Sequence, residues 1–205
     1  MIMEVKNSIK PVEYSKSMKI LEQRVQDVLS GKKDELLWLI EHPDVYTAGT
    51  SSKPEHLLDK NISVIKTNRG GKHTFHGPGQ KVIYFVLNLN NREKDIRKLV
   101  NKIESCIIEI LKEYKIKSYA DKENIGIWVE KNKNSKKIAA IGIRVKKWIA
   151  YHGFSLNVSN NLNNYKKIIP CGIKNKGITS LNELGVKDCE NINKIIIEKF
   201  LNIFL

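Results

Sequence analysis

Cysteine is scarce in this chain of 205 residues. The three cysteines, Cys106, Cys171 and Cys189, are an odd number and show no Cys-x-x-Cys spacing. This pattern argues against a disulfide framework and a four-thiolate metal site, and it favours a reducing compartment. The sequence also lacks any run near the roughly 20 apolar residues of a membrane-spanning helix, and its first residues lack a basic and then apolar signal segment. We therefore expect a cytoplasmic protein that does not enter a membrane.

Acidic residues are fewer than basic ones. The chain has 36 Lys and Arg but only 22 Asp and Glu, which gives a net charge of +14. A field of that sign speeds association with acidic macromolecules. The sequence has no aromatic RNA-binding strand, zinc finger or helix-turn-helix pattern, and its lysines are scattered. An acidic carrier protein would use the same field as a nucleic acid, so the charge alone leaves both classes of partner open.

The hydrophobic content of 41% suffices for a buried core, and the length predicts one domain over residues 1–205. Hydrophobic periodicity predicts helices over residues 15–30, 95–114 and 191–204. It predicts strands over residues 36–41, 64–67, 82–89, 125–130, 137–145 and 148–158. The strand at 82–89 is apolar on both faces, as in a sheet that is covered on both sides. Strands mixed with covering helices indicate an α/β or α+β fold.

The longest predicted helix also identifies buried residues. Its predicted buried stripe is Ile96, Leu99, Val100, Ile103, Ile107, Ile110 and Leu111. Cys106 lies beside this stripe, and we interpret it as a small core residue, as unreactive cysteines usually are. Cys189 lies between Asp188 and Glu190, and negative neighbours disfavour its thiolate.

A glycine-rich run occupies residues 69–80 and contains four glycines and two histidines. Its spacing matches neither nucleotide-binding glycine pattern, and it leads into a strand where a phosphate-binding turn would lead into a helix. His73 and His76 are three residues apart, but no third and fourth ligand accompany them, which disfavours a metal site. A plain connection between strands needs fewer special residues, so we interpret the run as a substrate-binding loop.

Cys171 is a lone thiol between Pro170 and Gly172, a placement that suits an exposed nucleophile. An ordinary thiol has a pKa near ~8.5, and an ammonium ~4 Å away favours the thiolate by up to roughly 4 kcal/mol at an effective dielectric of 20. Lys137 opens a predicted strand that is apolar from Ile138 onward, which makes it a candidate for that ammonium. The plainer interpretations are a packing cysteine and a surface lysine.

Motifs occur in order at residues 41–43, 46–49, 55–58, 69–71 and 74–80, and then at residues 137–139, 142–144, 152–157 and 170–172. Together they resemble one family, the lipoyl(octanoyl) transferases. Two small departures are Phe75, where the family usually has tyrosine, and Ser155, where alanine is common. Residues 132–136 and 174–176 are less similar to the family.

The resemblance implies a fold like the catalytic domain of biotin and lipoate ligases, a mixed β-sheet flanked by helices. It implies that Cys171 forms an acyl thioester and that Lys137 activates it. The residues that it implies for substrate binding are Arg69, Gly70, Gly71, Lys72, His73, Thr74, Phe75, His76, Ala140, Ile141, Gly142, Gly153, Phe154 and Ser155.

The resemblance also implies the partners. The octanoyl group would arrive on the phosphopantetheine of acyl carrier protein, with neither ATP nor a metal as cofactor. The acceptors would be lysines in lipoyl domains of 2-oxoacid dehydrogenase E2 subunits and of the glycine-cleavage H protein, with no nucleic acid or membrane involved. We expect Ile138, Ile141 and Phe154 to line an apolar groove for the acyl chain. An ATP-dependent ligase of similar fold and a nucleic-acid-binding module are the alternatives.

Overall fold

The computed structural model describes residues 2–131, 134–172 and 176–205, and for Lys131 and Cys171 it describes the backbone alone. The described helices are α1 (Tyr14–Leu29), α2 (Ile96–Glu113) and α3 (Ile192–Phe204). The described strands are β1 (Met3–Asn7), β2 (Glu35–Ile40), β3 (Val45–Ala48), β4 (Val64–Lys66), β5 (His73–His76), β6 (Gln80–Asn88), β7 (Ser118–Ala120), β8 (Ile127–Lys131), β9 (Asn134–Lys146), β10 (Ile149–Asn157) and β11 (Gly177–Ile178). Along this part of the chain, no helix combines the length and apolar character that crossing a bilayer requires.

The main sheet has the strand order β1-β2-β6-β10-β9-β8-β7, and β11 pairs with β9. The β1–β2 and β9–β11 pairs are parallel and the other pairs are antiparallel, so the sheet is mixed. A smaller sheet has the order β4-β3-β5. The predicted mixed sheet flanked by helices is confirmed.

Alternation along β6 supplies side chains to both faces of the main sheet. Ile83, Phe85 and Leu87 pack in the core with α2 and α3, whereas Tyr84 and Val86 pack with α1 on the opposite face. The prediction of an interior strand covered on both sides is therefore confirmed, and β6 fixes the layer order of helix, sheet and helix.

The helix boundaries have local causes. Asp95 accepts a hydrogen bond from the backbone N–H of Lys98 at 3.0 Å and so caps the start of α2. Gly31 follows α1 with φ of 69°, the left-handed conformation in which glycine ends helices. Cys106 has no exposed surface, and burial raises its thiol pKa to about 12, as suits a core residue.

The stripe predicted for α2 is wrong at its beginning. Leu99, Ile103, Ile107, Ile110 and Leu111 are buried, but Ile96 is 44% exposed and Val100 is half-buried. Both of these residues border a cleft. Because helical spacing shows only that a face is apolar, it does not distinguish a core contact from the wall of a cavity.

The sequence suggested that the whole glycine-rich run is a loop, but part of it is a strand. Residues His73–His76 form β5, which pairs antiparallel with β3 in the small sheet. Phe75 points from β5 into a cluster with Tyr46 and Tyr165. The run is therefore anchored at its centre by a strand, and its glycines form the turns on both sides.

Candidate active site

A cleft of about 540 Å³ opens where β9, β10, the start of α2 and the glycine-rich run meet. All of the predicted substrate-binding residues except Phe75 border it, as do Lys137 and Gly172. Phe75 is 1% exposed and packs away from the cleft. The predicted groove residues divide in the same way, because Ile141 and Phe154 border the cleft whereas Ile138 is fully buried in the main core.

Several residues that border the cleft are not among the predicted substrate-binding residues. They are Tyr14, Ser51, Val82, Tyr84, Ile96, Val100, Glu123, Asn124, Ile125, Ile143 and His152. Val82 and Tyr84 alternate along β6, and Ile96 and Val100 are one turn apart on α2. Their spacing shows that they share a face, but only the tertiary arrangement shows that the face is open.

Glycines shape the base of the cleft where Gly142 of β9 faces Gly153 of β10. A Cβ atom at Gly153 would lie 1.8 Å from the carbonyl oxygen of Ile83, which excludes any side chain there. The preceding His152 has φ of 69°, a conformation that a non-glycine residue adopts only when its surroundings enforce it. Nε2 of His152 donates to Oδ1 of Asn68 at 2.6 Å and holds this kink in place.

The segment before β5 reaches β9 through its backbone. β9 continues beyond β8, and the N–H of Gly70 donates to the carbonyl of Ile143 at 3.1 Å along that open edge. A Cβ atom at Gly142 would lie 3.1 Å from the carbonyl oxygen of Gly70, so the contact favours glycine at both positions. The run therefore lies directly on the sheet and closes one side of the cleft.

Arg69 holds this segment together. Its guanidinium donates to the carbonyl and hydroxyl oxygens of Thr47 at 3.1 and 2.7 Å and to the carbonyls of Gly70 and Lys72, both at 2.9 Å. The residue is 8% exposed. These contacts assign Arg69 an organising role in the cleft wall, in which it fixes the loop to β3.

Three buried histidines are neutral: His76 and His152 border the cleft, and His42 contacts His76. Burial lowers the pKa of His42 to about 4 and those of His76 and His152 to about 3, with the positive charges of neighbouring groups as a further cause for the latter two. Because the Val12 carbonyl only accepts, Nδ1 of His42 donates to it at 2.6 Å, and Nε2 then accepts from the Tyr84 hydroxyl at 2.8 Å. His42 is therefore a fully buried residue whose two ring nitrogens are both hydrogen-bonded.

His76 is held by another polar group. Its Nδ1 donates to Oε1 of Gln80 at 2.6 Å, and Nε2 of Gln80 donates to Asn157 and Tyr165. His73 and His76 are three residues apart in a strand, so they project from opposite faces and do not converge on one ion. Within the described ranges, no three His, Cys, Asp or Glu side chains cluster as metal ligands would.

Lys137 lies inside β9, fourth from its start, rather than opening the strand as expected from the sequence. It is 3% exposed, its Nζ donates to the carbonyl of Ile125 at 2.8 Å, and the same atom lies 4.8 Å from the ring centroid of Trp128. None of the described carboxylates forms a salt bridge with it. Lysine is rarely buried without an ionic partner, so Lys137 remains a candidate functional residue of the cleft.

The backbone of Cys171 lies in a one-turn helix, Pro170–Gly172, while its predicted nucleophilic side chain lies outside the described residues. Both sequence neighbours of Cys171 lie near Lys137. Gly172 borders the main cleft together with Lys137, and Pro170 shares a smaller cavity with Lys137, Thr74 and Ser155. The fold thus brings the two predicted catalytic positions to one place, although 34 residues separate them in the sequence.

The helix around Cys171 is tied to the rest of the site. The N–H of Ile169 donates to the carbonyl of His56 at 2.8 Å. A Cβ atom at Gly172 would lie 2.6 Å from Nζ of Lys72 and 2.7 Å from Cε1 of His56, so both side chains pack closely on this glycine. His56 is only 8% exposed and belongs to the interior of the site. Lys72 therefore adds a second ammonium group beside the Cys171 segment.

Comparisons with known proteins give matches over nearly the whole chain. The model of the lipoyl protein ligase A/B catalytic domain matches residues 13–201. Octanoyltransferases of Ehrlichia chaffeensis and Wolbachia pipientis wMel are 46% and 44% identical, with coverage of 94% of this chain and of 92% and 95% of theirs.

Solved structures support the fold. A bipartite lipoate protein ligase of Thermoplasma acidophilum, solved with its E2 lipoyl domain, has a TM-score of 0.74 at 12% identity, covering 98% of this chain and 84% of that one. A lipoate-protein ligase A bound with ATP has a TM-score of 0.72 at 14% identity, covering 98% and 85%. At such identities these structures show a shared fold and nothing more specific. The resemblance inferred from the motifs is confirmed, and the chain belongs to the lipoyl protein ligase A/B catalytic domain family.

Proposed function

We propose that this protein transfers an octanoyl group in protein lipoylation through an acyl thioester on Cys171. Octanoyl transfer follows from relatives of that activity at 43–46% identity over nearly the whole chain. The observation that carries the site assignment is the buried Lys137 in a cleft that also borders Gly172, next to Cys171. The carrier, the acceptor and the thioester intermediate are the finer parts of the proposal.

In the first step, the thiolate of Cys171 attacks the carbonyl carbon of octanoyl-acyl carrier protein. A new carbon–sulfur bond forms, the old one breaks, and the phosphopantetheine sulfur leaves as a thiolate. The ammonium of Lys137 stabilises the attacking thiolate and donates a proton to the leaving one. The products are an octanoyl thioester on Cys171 and a neutral Lys137.

In the second step, the amine of a lipoyl-domain lysine attacks the thioester on Cys171. An amide bond forms, the Cys171 thiolate leaves, and the neutral Lys137 takes the proton that the attacking amine loses. Both catalytic groups return to their starting states. Because a thioester is already activated toward an amine, the cycle consumes no ATP and requires no metal.

The walls of the cleft suit a medium-length acyl chain. Val100 of α2, Ile143 of β9 and Phe154 of β10 are apolar and border it, and its volume of about 540 Å³ lies in the usual range for small-molecule sites. Burying about seven carbons of the chain at ~0.8 kcal/mol each contributes roughly 5 kcal/mol to binding. This apolar contribution allows the cleft to select its substrate by chain length.

The net charge of +14 supports an acidic donor and an acidic acceptor. We propose octanoyl-acyl carrier protein as the donor. As acceptors we propose the lipoyl domains of 2-oxoacid dehydrogenase E2 subunits and the glycine-cleavage H protein. Lys72 and Lys137 bring positive charge to the cleft itself, and scattered lysines extend it over the surface.

The test follows transfer to a purified lipoyl domain from two alternative donors. One reaction contains octanoyl-acyl carrier protein without ATP, and the other contains free octanoate with ATP and magnesium. The proposal predicts an octanoylated lipoyl domain in the first reaction only. Modification in the second reaction alone would identify an ATP-dependent ligase and overturn the proposal.

A further inference from the structure

Two lysines lie against a single indole beside the proposed catalytic pair. Trp128 is 1% exposed, and its ring centroid lies 4.8 Å from Nζ of Lys137 and 4.6 Å from Nζ of Lys176. Both distances are typical of cation–π contacts. Lys176 follows Cys171 by five residues, whereas Lys137 comes from β9. The indole of Trp128 thus lies against both the predicted activating lysine and a lysine five residues after the predicted nucleophile in the sequence.

An ion pair fixes Lys176 in this position. Its Nζ lies 2.7 Å from Oδ2 of Asp121, and the two side chains are only 31% and 17% exposed. The carboxylate of Asp121 also accepts from the backbone N–H groups of Glu123 and Asn124 at 2.9 and 3.2 Å. The contact with Lys176 and the hydrogen bonds from Asn124 hold the pKa of Asp121 well below its usual range, so this carboxylate stays charged at every pH relevant to catalysis.

The turn that Asp121 organises also fixes the catalytic lysine. The carbonyl of Asn124 accepts from Nε1 of Trp128 at 2.8 Å, and the carbonyl of Ile125 accepts from Nζ of Lys137 at 2.8 Å. The side-chain amide of Asn124 donates to Asp121 at 3.0 Å. A continuous series of polar contacts therefore leads from Lys176 through Asp121 and the turn to the ammonium of Lys137.

The backbone makes a second connection at the same point. The segment after Lys176 forms β11, in which Ile178 pairs with Lys137 of β9. The N–H of Thr179 donates to the carbonyl of Lys137 at 2.9 Å. The chain that leaves Cys171 therefore returns to Lys137, and Lys176 lies immediately before the point of return.

We propose that Lys176 and Asp121 are positioning residues, which hold Lys137 and the start of β11 in one arrangement across Trp128. The inference rests on the proposed Cys171 and Lys137 pair. Neither positioning residue is assigned any contact with the substrate. Their loss leaves both reacting groups present but less well aligned, and a misplacement of about 1 Å costs about 100-fold in rate.

A different role for Lys176 is docking, because a partly exposed lysine beside the cleft also suits an acidic carrier. The two roles predict opposite results for Asp121→Asn. Removing the carboxylate releases the Lys176 ammonium for a carrier, so a docking role predicts equal or faster transfer. A positioning role predicts slower transfer, since Lys176 and the turn both lose their anchor.

The experiment compares wild type with Lys176→Met, Asp121→Asn, the double variant and Lys176→Arg. The matched control is Lys199→Met, because Lys199 is another partly exposed lysine with a carboxylate partner, Glu113 at 2.5 Å, and it lies on α3. Thermal unfolding first establishes that the variants are folded. Single-turnover formation of the octanoyl adduct on Cys171 is then measured against donor concentration.

We expect Lys176→Met and Asp121→Asn each to lower the maximal acylation rate by roughly 10- to 100-fold, without a change in the donor concentration for half-maximal rate. The double variant should be no slower than either single variant, because both remove one connection. Lys176→Arg should restore most of the rate, since arginine also pairs with a carboxylate and stacks on an indole. Lys199→Met should match wild type.

A second measurement needs no carrier protein. The rate at which iodoacetamide alkylates Cys171 is followed against pH in a Cys189→Ser background, with peptide mass spectrometry to identify the site. Because the thiolate is the reactive form, we expect the pH midpoint to move upward in Lys176→Met and Asp121→Asn but not in Lys199→Met. A change in overall stability alone would leave this midpoint in place.

Wild-type acylation rates and alkylation midpoints in both Lys176→Met and Asp121→Asn would overturn the inference and leave the proposed function intact. Suppose instead that Asp121→Asn transfers faster than wild type and that Lys176→Met transfers more slowly only at low donor concentration. Lys176 would then act in docking the carrier and not in positioning. If wild-type protein acquires no octanoyl group on Cys171, the proposed mechanism fails, and this inference fails with it.

Discussion

Replacing Lys137 by methionine removes one positive charge from the cleft and keeps a side chain of nearly the same length. A cation ~4 Å from a thiolate contributes roughly 4 kcal/mol at an effective dielectric of about 20, which corresponds to about 10³-fold in rate. Partial screening reduces this value, so we expect single-turnover acylation of Cys171 to slow by about 10²- to 10³-fold.

The fold should tolerate this change. The variant loses a charged hydrogen bond to Ile125, worth roughly 1.5–3 kcal/mol, together with the contact on Trp128. It also removes the desolvation cost of an ammonium that is only 3% exposed, and methionine fills the same space. Because these effects oppose each other, we expect the free energy of unfolding to change by about 1 kcal/mol or less.

Lys136→Met is the matched control for this prediction. Lys136 is the preceding residue of β9, its side chain is 33% exposed, and its Nζ forms an ion pair with Glu183 at 3.9 Å. Urea denaturation and single-turnover acylation are measured for both variants. A folded Lys137→Met protein that acylates at the wild-type rate would refute the role assigned to Lys137.

Three further predictions concern stability and specificity. Acidification from pH 6.5 toward pH 4 should lower the free energy of unfolding, because burial lowers the pKa of His42 to about 4. The unfolded state then binds a proton that the folded state does not, which lowers the free energy of unfolding by about 1.4 kcal/mol for each pH unit of acidification. His42→Gln should reduce this pH dependence by that amount when the free energy of unfolding is measured by urea titration. An unchanged pH dependence would contradict the assignment. Gly153→Ala should lower the melting temperature strongly, because its Cβ atom would lie 1.8 Å from the Ile83 carbonyl oxygen. Gly177→Ala is the control and should not lower it, because its Cβ atom would make only ordinary contacts. Equal melting temperatures of the two variants would contradict the close approach at Gly153. Val100→Phe should narrow the cleft and favour donors with acyl chains shorter than octanoyl, as measured by competition between butyryl and octanoyl carriers, and an unchanged preference would remove Val100 from the acyl site.

Local patterns were sufficient to predict the helices and the long strands of the main sheet. The apolar alternation of β6, the Asp95 cap of α2 and the stop at Gly31 each depend on neighbours within a few residues. Of the short strands, β4 and β8 were predicted, whereas β1, β3, β5, β7 and β11 were not, because these five are defined by their pairing partners and not by a local pattern. For β5, the flanking glycines suggested a loop, whereas pairing with β3 makes it a strand.

The candidate site was predicted mainly from its motifs. Nearly all of the residues that the family resemblance predicted for substrate binding border the cleft. The exception is Phe75, which packs in the core of the small sheet, and the resemblance gave no reason to distinguish it from the others. The resemblance also did not identify Arg69 as the residue that organises the loop. The contacts among Lys137, Trp128 and Lys176 join three separate segments, so no local pattern contains them.

The covalent intermediate on Cys171 is the central claim, and intact-protein mass spectrometry tests it most directly. Wild type and Cys171→Ser are each mixed with octanoyl-acyl carrier protein in the absence of ATP and of any acceptor. The account predicts one octanoyl adduct in wild type, removed by hydroxylamine as a thioester is, and no such adduct in the serine variant. Transfer to a lipoyl domain by a wild-type protein that never carries the adduct, or by the serine variant at the wild-type rate, would contradict it.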